Sequence, residues 1–205
     1  MLECVLVFWH HALHFHNPDQ YMDALSALLN RTSVPKLTEP GPGSTQLQAI
    51  CQSAFRAADH GVLRPWRFLM IQGESRRRLG ELFAQATRAD NPAAPAEDLQ
   101  RASEKALRAP LILVTIACPK ENAKVPALEQ EYSAAAATQN MLLAAFAQGI
   151  GAIWRTGPMA LHPLVRNGLG LDNSEKIISF LYLGTVDGAT RKLSEPPVQD
   201  FFRSW

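Results

Sequence analysis

Leu111-Ile112-Leu113-Val114-Thr115-Ile116-Ala117 is a continuous run of apolar and β-branched residues without a charge. A run of that length and composition reads as a strand covered on both faces. Ile177-Ile178-Ser179-Phe180-Leu181-Tyr182-Leu183-Gly184 repeats the pattern. Strands buried on both sides need helices above and below them. Between the two runs, Ala127 to Gln148 is alanine-rich and apolar nearly all round in its second half. It predicts a long helix, central to the fold or to a subunit interface, with Gly149 as its cap.

Working outward, Ile150 to Arg155 predicts a short strand and Leu161 to Leu169 a helix. Trp66 to Gln72 predicts a buried strand. Glu74 to Arg88 predicts a charged surface helix with Leu79, Leu82 and Phe83 inward, and a further helix extends to about Leu107. Near the start, Met22, Leu25, Leu28 and Leu29 share one face of a short helix over Met22 to Asn30, which Pro35 terminates. Glu39 to Gly43 is a turn. Ser44 or Thr45 then caps a helix in which Leu47, Ile50, Cys51, Ala54 and Phe55 share a face. Ala58 to Pro65 is a polar loop. The irregular tail ends in Phe201, Phe202 and Trp205, aromatics that need a surface to pack on; a neighbouring subunit provides one. No boundary divides residues 22–205, so the expectation is a single α+β or α/β domain with one sheet sandwiched by helices.

The 20 Lys+Arg and 19 Asp+Glu of this 205-residue chain leave a formal charge of +1. That balance, with 47% hydrophobic residues, excludes a disordered tail protein. It argues against nucleic acid or an anionic membrane as a partner held by charge. Cys4, Cys51 and Cys118 form no Cys-x-x-Cys pair, which suits reduced thiols in a cytoplasmic protein. No apolar run reaches the roughly 18–20 residues of a membrane span; the best candidate, Met141 to Ile153, is interrupted by Gln148, Gly149 and Gly151.

Residues 1–21 read differently from the rest. They hold four of the six histidines, with Glu3 where a signal peptide would be basic. His10, His11, His14 and His16 are candidate metal ligands. Alternatively the segment is an extension outside the native domain, with Met22 as the natural start, or a helix that packs on a surface.

The familiar catalytic signatures are absent: no Gly-x-Ser-x-Gly, no Walker A, no His-Glu-x-x-His, and no Gly-x-Gly-x-x-Gly after a strand. What remains is a set of cationic and aromatic residues at element ends. Arg31, Thr32 and Ser33 follow the first helix, Arg56, Asp59 and His60 follow the second, and Trp154, Arg155 and Thr156 end a strand. Arg191 and Lys192 lie in the tail. Guanidinium groups with hydroxyls suit a phosphate, and a tryptophan suits a planar ring. A phosphorylated aromatic cofactor satisfies both; separate surface arginines and a core tryptophan are the plainer alternative.

Six motifs in order carry a resemblance: Arg31-x-Ser33, Ala57-Ala58-Asp59-His60 with Pro65-Trp66-Arg67-Phe68, Lys124-Val125-Pro126, Glu129-Gln130-Glu131-x-Ser133, Gly151-x-Ile153-Trp154-Arg155-x-Gly157, and Phe180-Leu181-Tyr182-Leu183-Gly184-Thr185. From Met22 almost to the C-terminus the chain resembles the FMN-dependent nitroreductase family, in its short YdjA-like branch.

The resemblance implies an α+β three-layer sandwich, one mixed sheet covered by helices, in a homodimer with FMN at the interface. It implies that Arg31, Thr32 and Ser33 hold the FMN phosphate and ribityl chain. Arg56 and His60 reach the same FMN from the other subunit, and Trp154, Arg155 and Thr156 line the ring system. Ala144, Ala145, Phe146, Ala147, Gln148 and Gly149 match a stretch assigned to NAD(P), although so apolar a helix should be buried. Arg191 and Lys192 are further phosphate candidates. Thr32 stands where a second arginine is common, and Arg64 where glutamine is usual.

No side chain carries hydride, so the flavin must. The implied reaction is ping-pong: NADH or NADPH delivers hydride, then a small nitroaromatic or quinone-like acceptor takes two electrons. Arg155 is the candidate to stabilise charge at N1 and C2=O, with a phosphate or interface salt bridge as its other role. The alternative function is a non-catalytic protein that binds or stores FMN.

Overall fold

The computed structural model describes residues 22–205. The expectations for residues 1–21, extension or histidine metal site, lie outside the described residues.

The elements in order are α1 (Ala24–Asn30), β1 (Leu37–Thr38), α2 (Ser44–Ala54), β2 (Trp66–Gln72), α3 (Glu74–Asp90), α4 (Ala96–Glu104), β3 (Leu111–Ala117), α5 (Ala127–Ala147), β4 (Gly151–Arg155), α6 (Gly157–Leu161), α7 (Pro163–Gly168) and β5 (Lys176–Val186). Single 3₁₀ turns occupy His60–Val62, Lys105–Leu107 and Val198–Asp200.

The two runs that opened the sequence reading are the centre of the sheet. β3 pairs with β2 from Trp66↔Ala117 to Gln72↔Leu111, and with β5 from Leu111↔Leu183 to Ala117↔Lys176. β4 pairs with β5 from Gly151↔Gly184 to Arg155↔Phe180, and β1 adds two residue pairs near the end of β5. All these pairings are antiparallel, so the expected mixed sheet is corrected to an antiparallel one. The cause is the connection: α3 and α4 pack against each other as an out-and-back excursion, which returns the chain to the end where β2 finished.

Strand alternation divides the core into two layers. Ile112, Val114, Ile116, Phe180 and Tyr182 face α3, α4 and α7, and Phe83 meets Phe180 edge-on with centroids 5.5 Å apart. Leu111, Leu113, Leu181 and Leu183 face α2 and α5, where Ile50, Ala54, Ala137 and Met141 cover them. Every residue of β3 is buried, as its unbroken apolar run requires. The hydroxyls at this level satisfy one another: Thr138 lies 2.9 Å from Thr115 and 3.4 Å from Ser179.

Local differences from expectation have local causes. The helix expected over 161–169 is two helices, because Pro163 has no N–H to continue a helix and His162 before it is extended (φ −69°, ψ 127°). α2 is capped from Gly43, whose N–H donates to Gln46 Oε1 at 3.0 Å, and Ser44 is already helical. β1 was not expected at all; two residues carry no period. Gly149 does follow α5 with φ +73°. Among the described residues, no helix is long and apolar enough to cross a membrane, and no three His, Cys, Asp or Glu side chains group as metal ligands.

α3 and α4 touch most closely at Gly80, where an added Cβ would lie 2.6 Å from the Ser103 carbonyl oxygen. Gly80→Ala is therefore expected to lose about 1–2 kcal/mol, overpacking outweighing the helix-propensity gain. Urea unfolding checks this; unchanged stability would show that the helices separate freely.

Candidate functional site

Two groups of the anticipated residues are associated with β4, one joined to its start through Val34 and Leu37 and the other at its Trp154 end. Val34 N–H donates to Ala152 O at 2.9 Å, and Leu37 packs on Gly151. Residues 34–37 thus run beside Gly151 and Ala152 of β4, with Arg31–Ser33 immediately upstream. Upstream, Asp23 caps α1 by accepting from the N–H groups of Leu25 and Ser26; the Ser26 hydroxyl first, and then these N–H groups, lower its pKa. Arg31 approaches the Ser33 hydroxyl at 3.5 Å and pairs with no carboxylate among the described residues. A guanidinium and two hydroxyls on a pinned, non-helical segment form a donor set for phosphate oxygens.

Alternation along β4 sends Trp154 and Arg155 to opposite faces. Trp154 packs on the α2–α5 side, against the core that Leu181, Leu183, Met141 and Ala152 belong to. Its indole N–H donates to Thr156 Oγ1 at 2.9 Å, and Thr156 in turn donates to Ile178 O at 3.1 Å. The ring orientation is therefore fixed, and the Thr156 hydroxyl is engaged in fixing it. Gly157 follows with φ +66° and open space where a Cβ would be. Arg155 turns to the α3–α4 side, its guanidinium 5.9 Å from the centre of the Tyr182 ring and its Nε buried without a partner.

Arg56 and His60 belong to a second group. Both are exposed, and no hydrogen bond or ion pair joins either to Arg31–Ser33 or Trp154–Thr156. The loop carrying His60 is tied to the first turns of α5: His60 Nδ1 lies 3.0 Å from Glu129 Oε2, and Ser133 Oγ donates to Ala58 O at 2.6 Å. Asp59 accepts from Arg64 N–H at 2.7 Å. Val62 (φ +54°) and Arg64 (φ +48°) sit in the left-handed region, which for a β-branched valine is strained by about 1–3 kcal/mol. Strain of this kind concentrates at ligand sites. β3 and β5 lie between β2, which leaves this loop, and β4. Within one chain the Arg31–Ser33 segment is tied to β4 through Val34, whereas the His60 loop is tied to α5.

The remaining candidates are placed as follows. Ala144–Gly149 form the last turn and cap of α5: Ala145 is buried, its carbonyl accepts from Ile150 N–H, and Gln148 donates to Ala144 O. Arg191 and Lys192 are exposed in the tail, as are Phe201, Phe202 and Trp205.

Sequence reading missed a polar anchor that ties β2 to the loop before β5. Arg67 on β2 donates twice to Glu175, both bonds 2.7 Å, and Cys118 donates to the same carboxylate at 3.0 Å. The Arg67 guanidinium holds the Glu175 carboxyl down at about 2. Burial first, and then the carboxylate, push the Cys118 thiol up to about 12, which makes it a poor nucleophile. Arg67 was part of a quoted motif; Glu175, 108 positions away, carried no local signal.

Comparisons with known proteins agree with this architecture. The model of the nitroreductase family matches residues 28–185. Over 166 residues, 80% of this chain and 88% of the relative, the sequence is 44% identical to the Escherichia coli strain K12 protein named "Putative NAD(P)H nitroreductase YdjA". It is 35% identical over 182 residues, 88% of this chain and 98% of the relative, to a Haemophilus influenzae protein whose name carries the same activity. Among solved structures, the nitroreductase-like family protein of Bacillus cereus superposes with a TM-score of 0.78 at 22% identity, covering 90% of this chain and 97% of that one. A Bacteroides fragilis nitroreductase with bound FMN superposes with a TM-score of 0.67 at 21% identity, covering 88% and 98%. The family model spans most of the described residues, including both groups of site residues: the chain belongs to the nitroreductase family.

Proposed function

We propose that the protein is an FMN-dependent NAD(P)H oxidoreductase acting on nitroaromatic or quinone-like acceptors, and that it works as a homodimer in the cytoplasm. The observation that carries this reading is the Val34–Ala152 hydrogen bond, which ties the segment just after Arg31–Ser33 to the strand that ends in Trp154 and Arg155.

The residues fit FMN. Arg31 is a guanidinium without a carboxylate partner, next to the hydroxyls of Thr32 and Ser33, and so is matched to the phosphate and ribityl end. Trp154 offers a ring already locked by Thr156, and the open side of Gly157 leaves room for a planar group close to the backbone. When bound there, FMN would supply the hydride and electron transfer that no side chain can carry.

The protein's own contribution is placement. Arg31 binds the anionic end. Trp154 and the backbone up to Gly157 orient the ring. Arg56 and His60, which no hydrogen bond or ion pair joins to this group within one chain, are assigned to the site of the second chain. Glu129 occupies His60 Nδ1, which leaves Nε2 to meet the ligand. The apolar side chains left exposed on α1 (Leu25, Leu28, Leu29) and near the His60 loop (Phe55, Val62) supply the surface such a dimer buries.

The test is purification followed by a visible absorption spectrum, a solution mass, and NADPH consumption with and without a nitroaromatic. A yellow dimer whose NADPH consumption rises with acceptor is expected. Protein that stays colourless after FMN addition would sink the reading, and bleaching without acceptor turnover would reduce it to flavin binding.

A further inference from the structure

We propose, on the reading that His60 meets FMN, that Lys120 is a positioning residue for it: the lysine ammonium holds the 58–64 loop in the strained form that presents the His60 ring.

The loop lies where the pairing of β2 with β3 runs out. Beyond the two strands, Cys118 N–H still donates to Pro65 O at 2.8 Å. Pro65 and Pro119 have no N–H, so the main chain cannot add the next rung. A side chain takes its place: Lys120 Nζ donates to Leu63 O at 2.5 Å. The lysine side chain is exposed, but its backbone is fixed on both sides. Gln130 on α5, only 2% exposed, accepts from Lys120 N–H at 2.8 Å and donates to Lys120 O at 2.9 Å and to Val125 O at 3.0 Å. A buried amide whose hydrogen bonds all go to one loop sets the point from which the lysine reaches out.

The segment that Lys120 holds is the strained one. Leu63 lies between Val62 at φ +54° and Arg64 at φ +48°. Strain of that kind persists only where the surroundings impose it. Ser133 and Glu129 hold the first half of the loop, at Ala58 O and at the His60 ring. Among the described residues, Lys120 supplies the one hydrogen bond that reaches residues 61–64 from outside the loop. Without it the loop relaxes, and the fraction of molecules with His60 in place falls. Apparent affinity for the cofactor falls by the same factor.

The experiment is a double-mutant cycle on the full-length protein: wild type, Lys120→Met, His60→Ala and the double variant, each titrated with FMN and read by quenching of free-flavin fluorescence. Lys120→Met should raise the dissociation constant about three- to tenfold, as for one lost hydrogen bond, and leave the urea midpoint unchanged. Without FMN, it should speed deuterium uptake in residues 58–64 and not elsewhere. On the His60→Ala background the same substitution should weaken binding less than about twofold, because nothing is left for the lysine to position. Lys120→Arg, which keeps a cationic donor, should bind FMN as wild type does, and so should Lys124→Met, which removes a neighbouring exposed charge. Unchanged affinity in Lys120→Met, an equal loss on both backgrounds, or an equal loss in Lys124→Met would each overturn the proposal. Should Lys120→Met fail to fold by circular dichroism, Lys120→Gln, which is too short to reach Leu63, takes its place in the cycle. Wild-type affinity in His60→Ala would refute the His60 reading and this role with it; a loss in His60→Ala with none in Lys120→Met would refute this role alone.

Discussion

Arg31→Ala will raise the dissociation constant for FMN by about ten- to a hundredfold, the equivalent of a charge-assisted contact of roughly 1.5–3 kcal/mol. The loss should appear in binding and not in folding, because the only hydrogen bond of the Arg31 side chain among the described residues is a long one to Ser33, at 3.5 Å. Its position is set by the backbone: the Val34–Ala152 hydrogen bond stays in place when the side chain is removed. Arg31→Lys should fall between the two, since an ammonium keeps the charge and loses the two-pronged geometry. Ser33→Ala, which removes a neutral donor, should cost about 0.5–1.5 kcal/mol of binding. Quenching of free-flavin fluorescence on titration with protein measures all three. Equal affinities for wild type and Arg31→Ala would remove the phosphate from this end of β4 and with it the basis of the proposed function.

The core was legible for a plain reason. β3 and the Ser179–Gly184 stretch of β5 are buried on both faces, so no position there is charged, and a continuous run marks them. α5 was legible because alanine is both a strong helix former and small enough to lie flat on the sheet beside Ile50 and Met141. The mixed sheet expected by resemblance failed because strand direction depends on the number of helices between strands, and α3 with α4 makes two. The break at His162-Pro163 was written in the sequence as a proline and went unread in favour of the apolar spacing around it.

The site was legible as a collection and not as a geometry. Arg31, Ser33, His60 and Trp154 stood out because their residue types suit an anion and a ring. Which of them meet is decided by contacts hundreds of atoms away along the chain, such as Val34 with Ala152, and by the face that strand alternation gives each neighbour. Trp154 and Arg155 read as one unit in sequence, yet β4 directs them apart, the first to the α2–α5 side and the second toward Tyr182.

The largest effect on stability is expected at the Arg67–Glu175 pair, and pH gives it a signature. The Glu175 side chain is 10% exposed, and its carboxyl sits at about 2 against an ordinary 4.5. A depressed carboxyl contributes stability that is complete above about 4.5 and is lost as pH falls toward 2. The shift corresponds to about 3 kcal/mol. Glu175→Gln should therefore be about 2–3 kcal/mol less stable at pH 7, and its curve should converge on that of the wild type as pH approaches 2. Arg67→Met should behave differently. At neutral pH it strands a buried carboxylate, at a cost of about 3–5 kcal/mol. With the guanidinium gone, burial would raise the Glu175 carboxyl instead of lowering it, so this variant should recover stability relative to wild type as acid neutralises the stranded charge. Urea unfolding between pH 3 and 7 distinguishes the two slopes. Parallel curves for both variants and the wild type would mean that the pair contributes through packing alone, with no net electrostatic part in holding β2 to the loop before β5.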